Sequence, residues 1–598
     1  MHAFTRSQDE DVGVATNDTH AHGDVTPGGG HTTGMTTDRQ PHHSPRAAAS
    51  WVTHEVSNQP PPLLDWDVAD HPPLLDAAAR EGAGWYVDDL HAIGRLAGGA
   101  RAQQWAAEAD ANPPRLRTHD RFGYRVDEVD YHPAYHQLMA AAIDAGLAGG
   151  PWAGDRADDV APGSAHVARA AGFFAWCHTE LGHGCPISMT HAVVPALRCA
   201  PDLARRWEPG LVSREYDPTL ASPDTKAGLT AGMAMTEKQG GSDVRANTTR
   251  ADRAGDGTWI LTGHKWFCSA PMSDVFLVLA QAPAGLTCFL LPRVLPDGTR
   301  NGVHLQRLKD KLGNRANASS EIELRDAVAW QVGDEGRGVA TIIDMVVATR
   351  VDCVIGAALT TRHAVAQATH HAAHRRAFGR RLVDQPAMVN VLADLAVESE
   401  AMTAVALRLA AAFGRADGGD ERERLFARLA VPVAKYWTTK RSVAAVAEAL
   451  ECLGGNGYVE ESGMPRLYRE APLYSIWEGA GNVQALDVLR AVVRDPEAVE
   501  VVLDEVDAAA GGDARFDAAV ATLRRVLADT DGAQYRARRI TGLLAALVQG
   551  ALLVRHAPAP VADAWCATRL DGGHALFGTL PTGLDVDAII ARATPRTG

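Results

Sequence analysis

Ala234-Met235-Thr236-Glu237-Lys238-Gln239-Gly240-Gly241-Ser242-Asp243 lies near the middle of a chain of 598 residues and interrupts its pattern. An apolar, strand-like run ends here in hydroxyl groups, two adjacent glycines and an acid. Glycines let the backbone approach a ligand closely, and N–H groups and short hydroxyls can bond a flat, polar heterocycle. The segment therefore predicts one wall of a binding site for such a ring.

Composition restricts the class of protein around this segment. Hydrophobic residues make up 46% of the chain and charged residues 22%, which is ordinary for a soluble globular protein. The net charge of −15 argues against a surface that is basic throughout and coated by nucleic acid. The eight cysteines form no C-x-x-C pair, and no long apolar run or signal-peptide pattern occurs. We expect a cytoplasmic protein with reduced thiols and without a metal site.

The pattern of apolar and polar residues changes several times along the chain. Residues 1–50 are poor in large aliphatic residues and predict a disordered extension, whose histidines are read as solvated rather than metal-binding. Helical patterns follow over 51–227, and short β-rich runs separated by turn signals occupy 228–332. Helical patterns return over 333–492 and 493–598. The fold class expected is mainly α with a central β domain, an antiparallel barrel or sandwich.

A second motif, Gly263-His264-Lys265-Trp266-Phe267-Cys268-Ser269, follows the strand-like run Trp259-Ile260-Leu261-Thr262. Phe267 and Ser269 are two residues apart, so both side chains point to the same face of a strand. An aromatic plane with a nearby hydrogen-bond donor suits a flavin ring. Taken alone, the motif is better explained by core packing.

Three further motifs carry polar groups among glycines and aromatic residues. They are Glu451-Cys452-Leu453-Gly454-Gly455-Asn456-Gly457-Tyr458, Tyr474-Ser475-Ile476-Trp477-Glu478-Gly479-Ala480-Gly481-Asn482, and Arg375-Arg376-Ala377-Phe378-Gly379 with Gln385. In an apolar pocket Glu478 would have a raised pKa and serve as a general base. Arg375 with Phe378 would suit a diphosphate and adenine. Individually, a glycine-rich helix end, an exposed glutamate and a basic helix end explain them as well.

Together these motifs resemble the acyl-CoA dehydrogenase family. The stretches 234–246 and 451–470 match both of its characteristic signatures, and the resemblance covers about 75–490. The segments Met235–Asp243, Leu308–Arg315 and Ser475–Gly479, with the helical C-terminal residues, resemble the AidB-like branch, whose members belong to the response to DNA alkylation. This resemblance implies an N-terminal helical domain, a β barrel or sandwich, a helical bundle and an extra C-terminal helical domain.

The resemblance also implies roles for individual residues. Glu478 would be the catalytic base and Arg350 a substrate contact. The residues implied to contact FAD are Met235, Thr236, Gly241, Ser242, Phe267, Ser269, Arg375, Phe378, Gln385, Gly454, Gly455, Trp477, Gly479, Ala480 and Asn482. The family assembles FAD sites between neighbouring subunits, so a homotetramer is implied.

Several positions depart from the family pattern. Ala480 replaces a hydroxyl residue, and Glu451 replaces the common glutamine. Val346, Val347 and Ala348 fill the turn before Arg350, where an aspartate often contacts coenzyme A. Thr349 leaves the alternative base position of the isovaleryl branch without an acid. These departures leave the flavin site intact and predict weak acyl-CoA dehydrogenase chemistry. The activity that the resemblance implies is isovaleryl-CoA-like.

Within the acidic C-terminal region, the window 524–555 is locally basic. The arginines expected to contact phosphates of double-stranded DNA without reading bases are Arg524, Arg525, Arg536, Arg538, Arg539 and Arg555. A solvated helix face with i,i+4 ion pairs is the alternative explanation. The leading hypothesis is an FAD-containing, DNA-binding protein of the alkylation response. The others are a metabolic short- or branched-chain acyl-CoA dehydrogenase whose C-terminal module serves assembly, and a DNA-shielding protein that keeps FAD for stability.

Overall fold

The computed structural model describes residues 53–154, 160–571 and 576–597. The chain divides into Met1–Ser57 and Asn58–Gly598, and every helix and strand given below lies in the second unit. The predicted disordered extension, residues 1–50, lies outside the described residues. Helices dominate the described part and a β domain separates them into two groups, so the predicted fold class is confirmed.

Helices and a short hairpin precede the β domain. In chain order they are α1 (Pro72–Arg80), α2 (Val87–Gly98), α3 (Ala100–Ala111), β1 (Arg115–His119), β2 (Arg125–Asp130), α4 (Pro133–Asp144), α5 (Ser164–Trp176), α6 (Gly184–Leu197) and α7 (Pro201–Leu211). The antiparallel hairpin β1–β2 differs from the helical pattern predicted for this region. Its turn is held by Asp120, whose Oδ1 accepts from the backbone N–H groups of Phe122 and Tyr124. This side-chain turn replaces the helix that composition favoured.

The β domain is a closed barrel with two attached strands. Its strands are β3 (Ala231–Ala234), β4 (Arg250–Arg253), β5 (Trp259–Ser269), β6 (Val275–Ala282), β7 (Gly285–Pro292), β8 (Val303–Leu308) and β9 (Ser319–Val332). Pairing runs β6–β4–β5–β9–β7 and returns from β7 to β6, while β3 pairs with β6 and β8 with β9. The β3–β6 and β4–β6 pairs are parallel, so the prediction of a wholly antiparallel domain was wrong. β5 follows β4 in the chain and runs antiparallel to it. The next strand, β6, reverses direction again and is therefore parallel to β4.

The helical bundle follows, with long helices that pack against each other and against the barrel. Its elements are α8 (Gly338–His374), β10 (Arg376–Ala377), β11 (Arg380–Arg381), α9 (Pro386–Asp417), α10 (Glu421–Cys452), α11 (Met464–Glu470) and α12 (Gly481–Arg494). α8 contacts α6 and β7, so the bundle, the first helices and the barrel meet along this helix. The turn between α11 and α12 carries Glu478.

The C-terminal helices pack onto the bundle. They are α13 (Pro496–Asp507), α14 (Ala514–Ala528), α15 (Ala533–His556), α16 (Ala559–Trp565) and α17 (Val586–Ala593). Within the described part, α15 is the one helix long and apolar enough to cross a membrane, but most of its apolar stretch is buried, as in a core helix. α17 reaches the first helices, because Arg592 pairs with Glu400 of α9 at 3.0 Å and with Asp76 of α1.

Candidate active site at the barrel and the Glu478 turn

The opening motif leaves β3 and turns sharply around a buried ion pair. Glu237 and Lys265 are fully buried, and Lys265 Nζ lies 2.8 Å from Glu237 Oε1. Glu237 also accepts from the backbone N–H groups of Thr248 and Thr249 at 2.7 and 3.1 Å. Burial alone would raise the pKa of Glu237, but Lys265 and these N–H groups outweigh it and hold the pKa below its usual range. The buried contacts of Glu237 thus hold the motif in place.

The predicted flavin-binding residues of this loop lie beside β5. The backbone N–H of Trp266 donates to the carbonyl O of Thr236 at 2.8 Å, which joins the loop to that strand. A Cβ on Gly241 would lie 2.4 Å from Thr236 Oγ1, so this position requires glycine. Met235 and Thr236 are half-buried, whereas Gly241 and Ser242 are exposed. The structure therefore brings these four predicted residues together at the outer face of the barrel.

Phe267 and Ser269 share that outer face. A bulge in the β5–β9 pairing lies between Lys265 and Cys268. Because Cys268 is buried, the flanking Phe267 and Ser269 both point away from the barrel core, as their spacing predicts. The Phe267 side chain is 48% exposed. An aromatic face left open beside a hydroxyl matches what a flavin ring requires.

Glu478 lies in a strained turn ahead of α12. Its φ is 55° and that of Gly479 is 98°, both in the left-handed region. This conformation costs a residue with a Cβ roughly 1–2 kcal/mol, so surrounding contacts must hold it. A Cβ on Gly479 would lie 2.7 Å from Gln484 Nε2, which makes glycine necessary after Glu478.

Two buried side chains hold the carbonyl groups of this turn. Lys435 Nζ donates to the carbonyl oxygens of Tyr474, Trp477 and Gly479 at 3.2, 2.8 and 2.9 Å. Gln484 Nε2 donates to the carbonyl O of Gly479 at 3.0 Å and to that of the preceding residue at 2.8 Å. The hydrogen bonds from the Lys435 ammonium group are charge-assisted and therefore stronger than the neutral ones from Gln484. They fix the direction in which the Glu478 side chain leaves the backbone.

The Glu478 carboxyl group is placed for proton transfer. Its Oε2 is buried and has no hydrogen-bond partner among the described residues. Burial raises its pKa, while the Thr349 hydroxyl and the charges of Lys435 and Arg350 act in the opposite direction. A carboxylate with a raised pKa and a free oxygen is a stronger base than a solvated one.

Arg350 lies beneath the turn. Its Nε donates to the carbonyl O of Glu478 at 3.1 Å, and its Nη1 pairs with Asp487 of α12 at 2.9 Å. The side chain is largely buried. Through these contacts Arg350 helps to hold the turn. Its contact with substrate stays a prediction.

The remaining predicted FAD contacts fall into two groups. Trp477, Gly479, Ala480 and Asn482 surround Glu478, and the Trp477 Nε1 is buried without a partner among the described residues. The other group lies at the surface: Arg375, Phe378, Gln385, Gly454 and Gly455. The orphaned Trp477 Nε1 and Glu478 Oε2 and the open Phe267 face fit a polar, aromatic group bound between barrel and bundle. The donor set therefore fits FAD.

The surface group does not complete a pocket by itself. Gln385 Nε2 donates to the carbonyl O of Ala377 at 3.1 Å, and Arg375 donates to the carbonyl O of Asn58. Phe378 is 99% exposed with a φ of 51°. A Cβ on Gly454 or Gly455 would meet open space, so neither glycine is required by packing within this chain.

The predicted DNA-binding arginines differ in their partners. Arg524 pairs with Asp507, Arg536 with Asp529 at 2.9 Å, and Arg555 with Glu505 at 3.1 Å. Arg525 Nη2 donates to Thr522 Oγ1 at 3.0 Å, and Arg538 Nε donates to Asn482 Oδ1 at 2.7 Å. Arg539 is exposed and has no ion pair or hydrogen bond among the described residues. Half of the predicted set is thus neutralised by carboxylates.

Sequence reasoning missed the residues that support the site. Lys435, Gln484 and Asp487 hold the Glu478 turn, and none was singled out. Lys435 had a visible signal, since it follows the apolar run Leu429–Ala434 inside a helix, where a charge needs a buried partner. Gln484 and Asp487 lie on α12, after Glu478, and nothing in the sequence around them indicates a buried partner.

Three family models match successive parts of the chain. The adaptive response protein AidB N-terminal domain matches residues 58–218. The acyl-CoA dehydrogenase middle domain matches 232–327, and the acyl-CoA dehydrogenase C-terminal domain matches 336–493. These matches cover the first helices, the barrel and the bundle in the order that the sequence predicted.

Individual relatives agree with the models. The chain is 45% identical over 523 residues to the putative acyl-CoA dehydrogenase AidB of Escherichia coli strain K12, across 87% of this chain and 95% of that protein. It is 33% identical to acyl-CoA dehydrogenase family member 11 of Caenorhabditis elegans over 396 residues, 64% of this chain and 63% of the relative. The crystal structure of Caenorhabditis elegans ACDH-11 in complex with C11-CoA superposes with a TM-score of 0.77 and 27% identity, covering 92% of this chain and 94% of that one. The chain therefore belongs to the acyl-CoA dehydrogenase family, is AidB-like over most of its length, and is an FAD-dependent oxidoreductase.

Proposed function

We propose that this protein oxidises an acyl-CoA thioester slowly, with Glu478 as the base, and also binds double-stranded DNA non-specifically in the response to DNA alkylation. The observation that carries the first part is the Glu478 turn, whose backbone is clamped while its carboxylate Oε2 is left free. A base held in one orientation beside an oxidising cofactor suits removal of the proton α to a carbonyl.

The protein's own groups account for the proton-transfer half of this reaction. Glu478 takes the α-proton, and its backbone N–H, which has no acceptor among the described residues, donates to the thioester carbonyl where negative charge develops. Lys435 and Arg350 hold the carbonyl groups of the turn and keep the pKa of Glu478 from rising further. When bound, FAD supplies the two-electron oxidation of the Cα–Cβ bond.

Slow turnover follows from the groups around the base. Arg350 is engaged by Asp487 and by the Glu478 carbonyl, Thr349 supplies no second acid, and Ala480 brings no hydroxyl. The substrate class proposed is a short, branched acyl group of the isovaleryl type. The bound C11-CoA of the ACDH-11 structure supports a CoA thioester as the ligand class.

Anaerobic bleaching of the bound flavin tests this proposal. Acyl-CoA thioesters of different chain length and branching are mixed with the FAD-loaded protein, and absorbance near the flavin maximum is followed. Glu478→Gln is expected to abolish bleaching while FAD remains bound. Equal rates in both proteins would remove Glu478 as the base. Fast, substrate-specific bleaching without any affinity for DNA would instead support the alternative of a metabolic short- or branched-chain acyl-CoA dehydrogenase whose C-terminal module serves assembly.

Exposed, unpaired cations at the α14–α15 connection support DNA binding. Among the described residues Arg525, Arg538 and Arg539 are exposed and pair with no carboxylate, and Tyr535 between them is 98% exposed. Arginines of this kind contact phosphates and make binding strongly dependent on salt. Binding isotherms of a random-sequence duplex at several salt concentrations test this part, and affinity independent of salt would contradict it.

The proposed assembly is a cytoplasmic homotetramer. Phe378 and Tyr458 are almost fully exposed next to predicted FAD contacts, and a neighbouring subunit would cover them. Light scattering after size-exclusion chromatography measures the assembly of the FAD-loaded protein. Phe378→Asp is expected to reduce both the mass and the retention of FAD, whereas a monomer that keeps FAD would contradict this arrangement.

A further inference from the structure

A hydrogen-bonded chain of three side chains leads from a cavity to the predicted flavin contact Ser269. Lys311 Nζ donates to Ser319 Oγ at 3.2 Å, and Ser319 Oγ lies 3.1 Å from Ser269 Oγ. Ser269 and Ser319 are direct partners in the β5–β9 register, so the strands themselves set this contact. Lys311 belongs to the segment Leu308–Arg315, to which the family resemblance gives no role.

The chemistry of the three groups fixes the direction of the chain. A lysine ammonium donates and cannot accept, so Ser319 must accept from Lys311. Ser319 is buried, and Ser269 Oγ is the one other group within hydrogen-bond distance of its hydroxyl among the described residues. A buried hydroxyl proton without an acceptor is costly, so Ser319 donates to Ser269. The proton of Ser269 is then left to point outward.

The outward direction is the one that a flavin nitrogen would need. Ser269 flanks the exposed face of Phe267 on the outer side of the barrel. The Cys185 thiol lies next to Ser269, but a thiol sulfur is a weak acceptor, and burial raises the pKa of Cys185 to about 12. Ser269 therefore hydrogen-bonds this thiol only weakly, and a ring nitrogen is the stronger acceptor for its proton.

Lys311 also brings a positive charge that no carboxylate neutralises by direct contact. Besides Ser319, its Nζ donates to the carbonyl O of Asn317, and no ion pair joins it among the described residues. Glu470 acts on the Lys311 charge without direct contact. Glu470 is buried, and burial together with the charge of the nearby Glu180 raises the pKa of Glu470 to about 8. Burial lowers the pKa of Lys311, while Glu470 and the ionised Glu180 act in the opposite direction without touching its ammonium group.

We infer that Lys311 is a positioning residue for the flavin, which directs the Ser269 hydroxyl through Ser319 and favours the reduced cofactor by its charge. Reduced flavin carries more negative charge than oxidised flavin, so a nearby cation in a poorly solvated site stabilises it. Lys311 also lines a cavity of about 1360 Å³ bounded by α3, the β8–β9 connection and the end of α8. This inference rests on the proposed placement of Ser269 at the flavin.

The midpoint reduction potential of bound FAD tests the inference without substrate. The variants are Lys311→Met, Ser319→Ala and Ser269→Ala, with Ser320→Ala as the matched control, because Ser320 Oγ donates to the Cys268 carbonyl and stands outside the chain. Lys311→Met is expected to reduce the preference for reduced over oxidised flavin about tenfold, which is about 30 mV for a two-electron couple. Ser319→Ala should produce a smaller shift in the same direction, and Ser320→Ala none.

Each result separates the inference from the placement on which it rests. If Ser269→Ala shifts the potential while Lys311→Met and Ser319→Ala do not, the inference is overturned and the placement stands. If Ser269→Ala changes neither the potential nor the flavin absorption spectrum, the placement of Ser269 is wrong. If Lys311→Met does not retain FAD, the potential of Ser319→Ala alone tests the inference. That variant keeps the Lys311 charge and removes the hydroxyl between Lys311 and Ser269. An unchanged potential in that variant contradicts the relay.

Discussion

Arg538 Nε donates a hydrogen bond of 2.7 Å to Asn482 Oδ1. Arg538 lies in the first turns of α15, and Asn482 is the second residue of α12, four positions after Glu478. The hydrogen bond therefore joins the helix proposed to contact DNA to the helix that follows the Glu478 turn. Arg538 thus contacts the residues after Glu478 directly, whereas its neighbour Arg539 makes no such contact among the described residues.

Arg538→Ala and Arg539→Ala are expected to separate these effects. Loss of Arg538 frees Asn482 and should weaken FAD binding several-fold as well as DNA binding, because an exposed hydrogen bond contributes about 0.5–1.5 kcal/mol. Arg539→Ala should weaken DNA binding alone. FAD dissociation is measured by recovery of flavin fluorescence, and DNA binding by anisotropy. An equal loss of FAD affinity in both variants would contradict the role of the Asn482 contact.

The salt dependence of DNA binding should follow the pairing state of the arginines. Replacing Arg525, Arg538 and Arg539 with alanine should reduce the slope of log K against log salt by up to about 2.7, at roughly 0.9 for each phosphate that the protein no longer neutralises. The matched triple variant, Arg524, Arg536 and Arg555 to alanine, removes arginines already paired with Asp507, Asp529 and Glu505, so its slope should change less. Equal changes in both triple variants would show that pairing within the protein does not restrict these side chains.

Lys435→Met should affect both stability and the pH profile of flavin bleaching. The carbonyl groups of Tyr474 and Trp477 lose their donor and that of Gly479 keeps only Gln484, so the free energy of unfolding should fall by about 2 kcal/mol or more. The Lys435 charge also lowers the pKa of Glu478. Its removal should move the rising limb of the pH–rate profile to higher pH. Lys440→Met, one turn further along α10, is the control, and a pH profile unchanged by Lys435→Met would leave Lys435 a purely structural role.

Glu237→Gln should destabilise the protein by about 3–5 kcal/mol at pH 7, because it leaves the Lys265 charge buried and unpaired. The pKa of Glu237 is held below its usual range, so the pair contributes fully above the pKa of an unfolded glutamate, about 4.3, and its contribution is lost as pH falls through the lower folded value. Urea unfolding at several pH values measures the difference. Asp252→Asn, in the exposed Arg250–Asp252 pair of 3.6 Å, should cost about 0–1 kcal/mol.

The sequence predicted the order of the helical and β parts because periodicity and turn residues are local signals. It also predicted that Phe267 and Ser269 share a face, since that depends on strand spacing alone. The contacts of Lys435, Arg350 and Arg524 could not be read in the same way. Their partners lie 39 or more, 128 and 17 residues away, and pairing at such distances is set by how helices pack.

The hairpin β1–β2 shows a different limit. Its residues are polar and only half-buried, so no apolar period separates a strand from a surface helix. The Asp120 turn decides between them, and an aspartate that accepts from two later N–H groups is a weak signal in an unaligned sequence. The motifs around Gly241 and Gly479 were easier to find, because close neighbours require glycine at those two positions.

The contacts of α17 restrict how this protein can lose a function. Arg592 ties the last helix to α1 and α9, and the Arg362 guanidinium of α8 donates to the carbonyl O of Ala593. Deleting the C-terminal helices would therefore expose the core that supports the flavin region. The Glu478 turn and the arginines proposed to contact DNA therefore belong to one folding unit, so truncation before α17 should destabilise both.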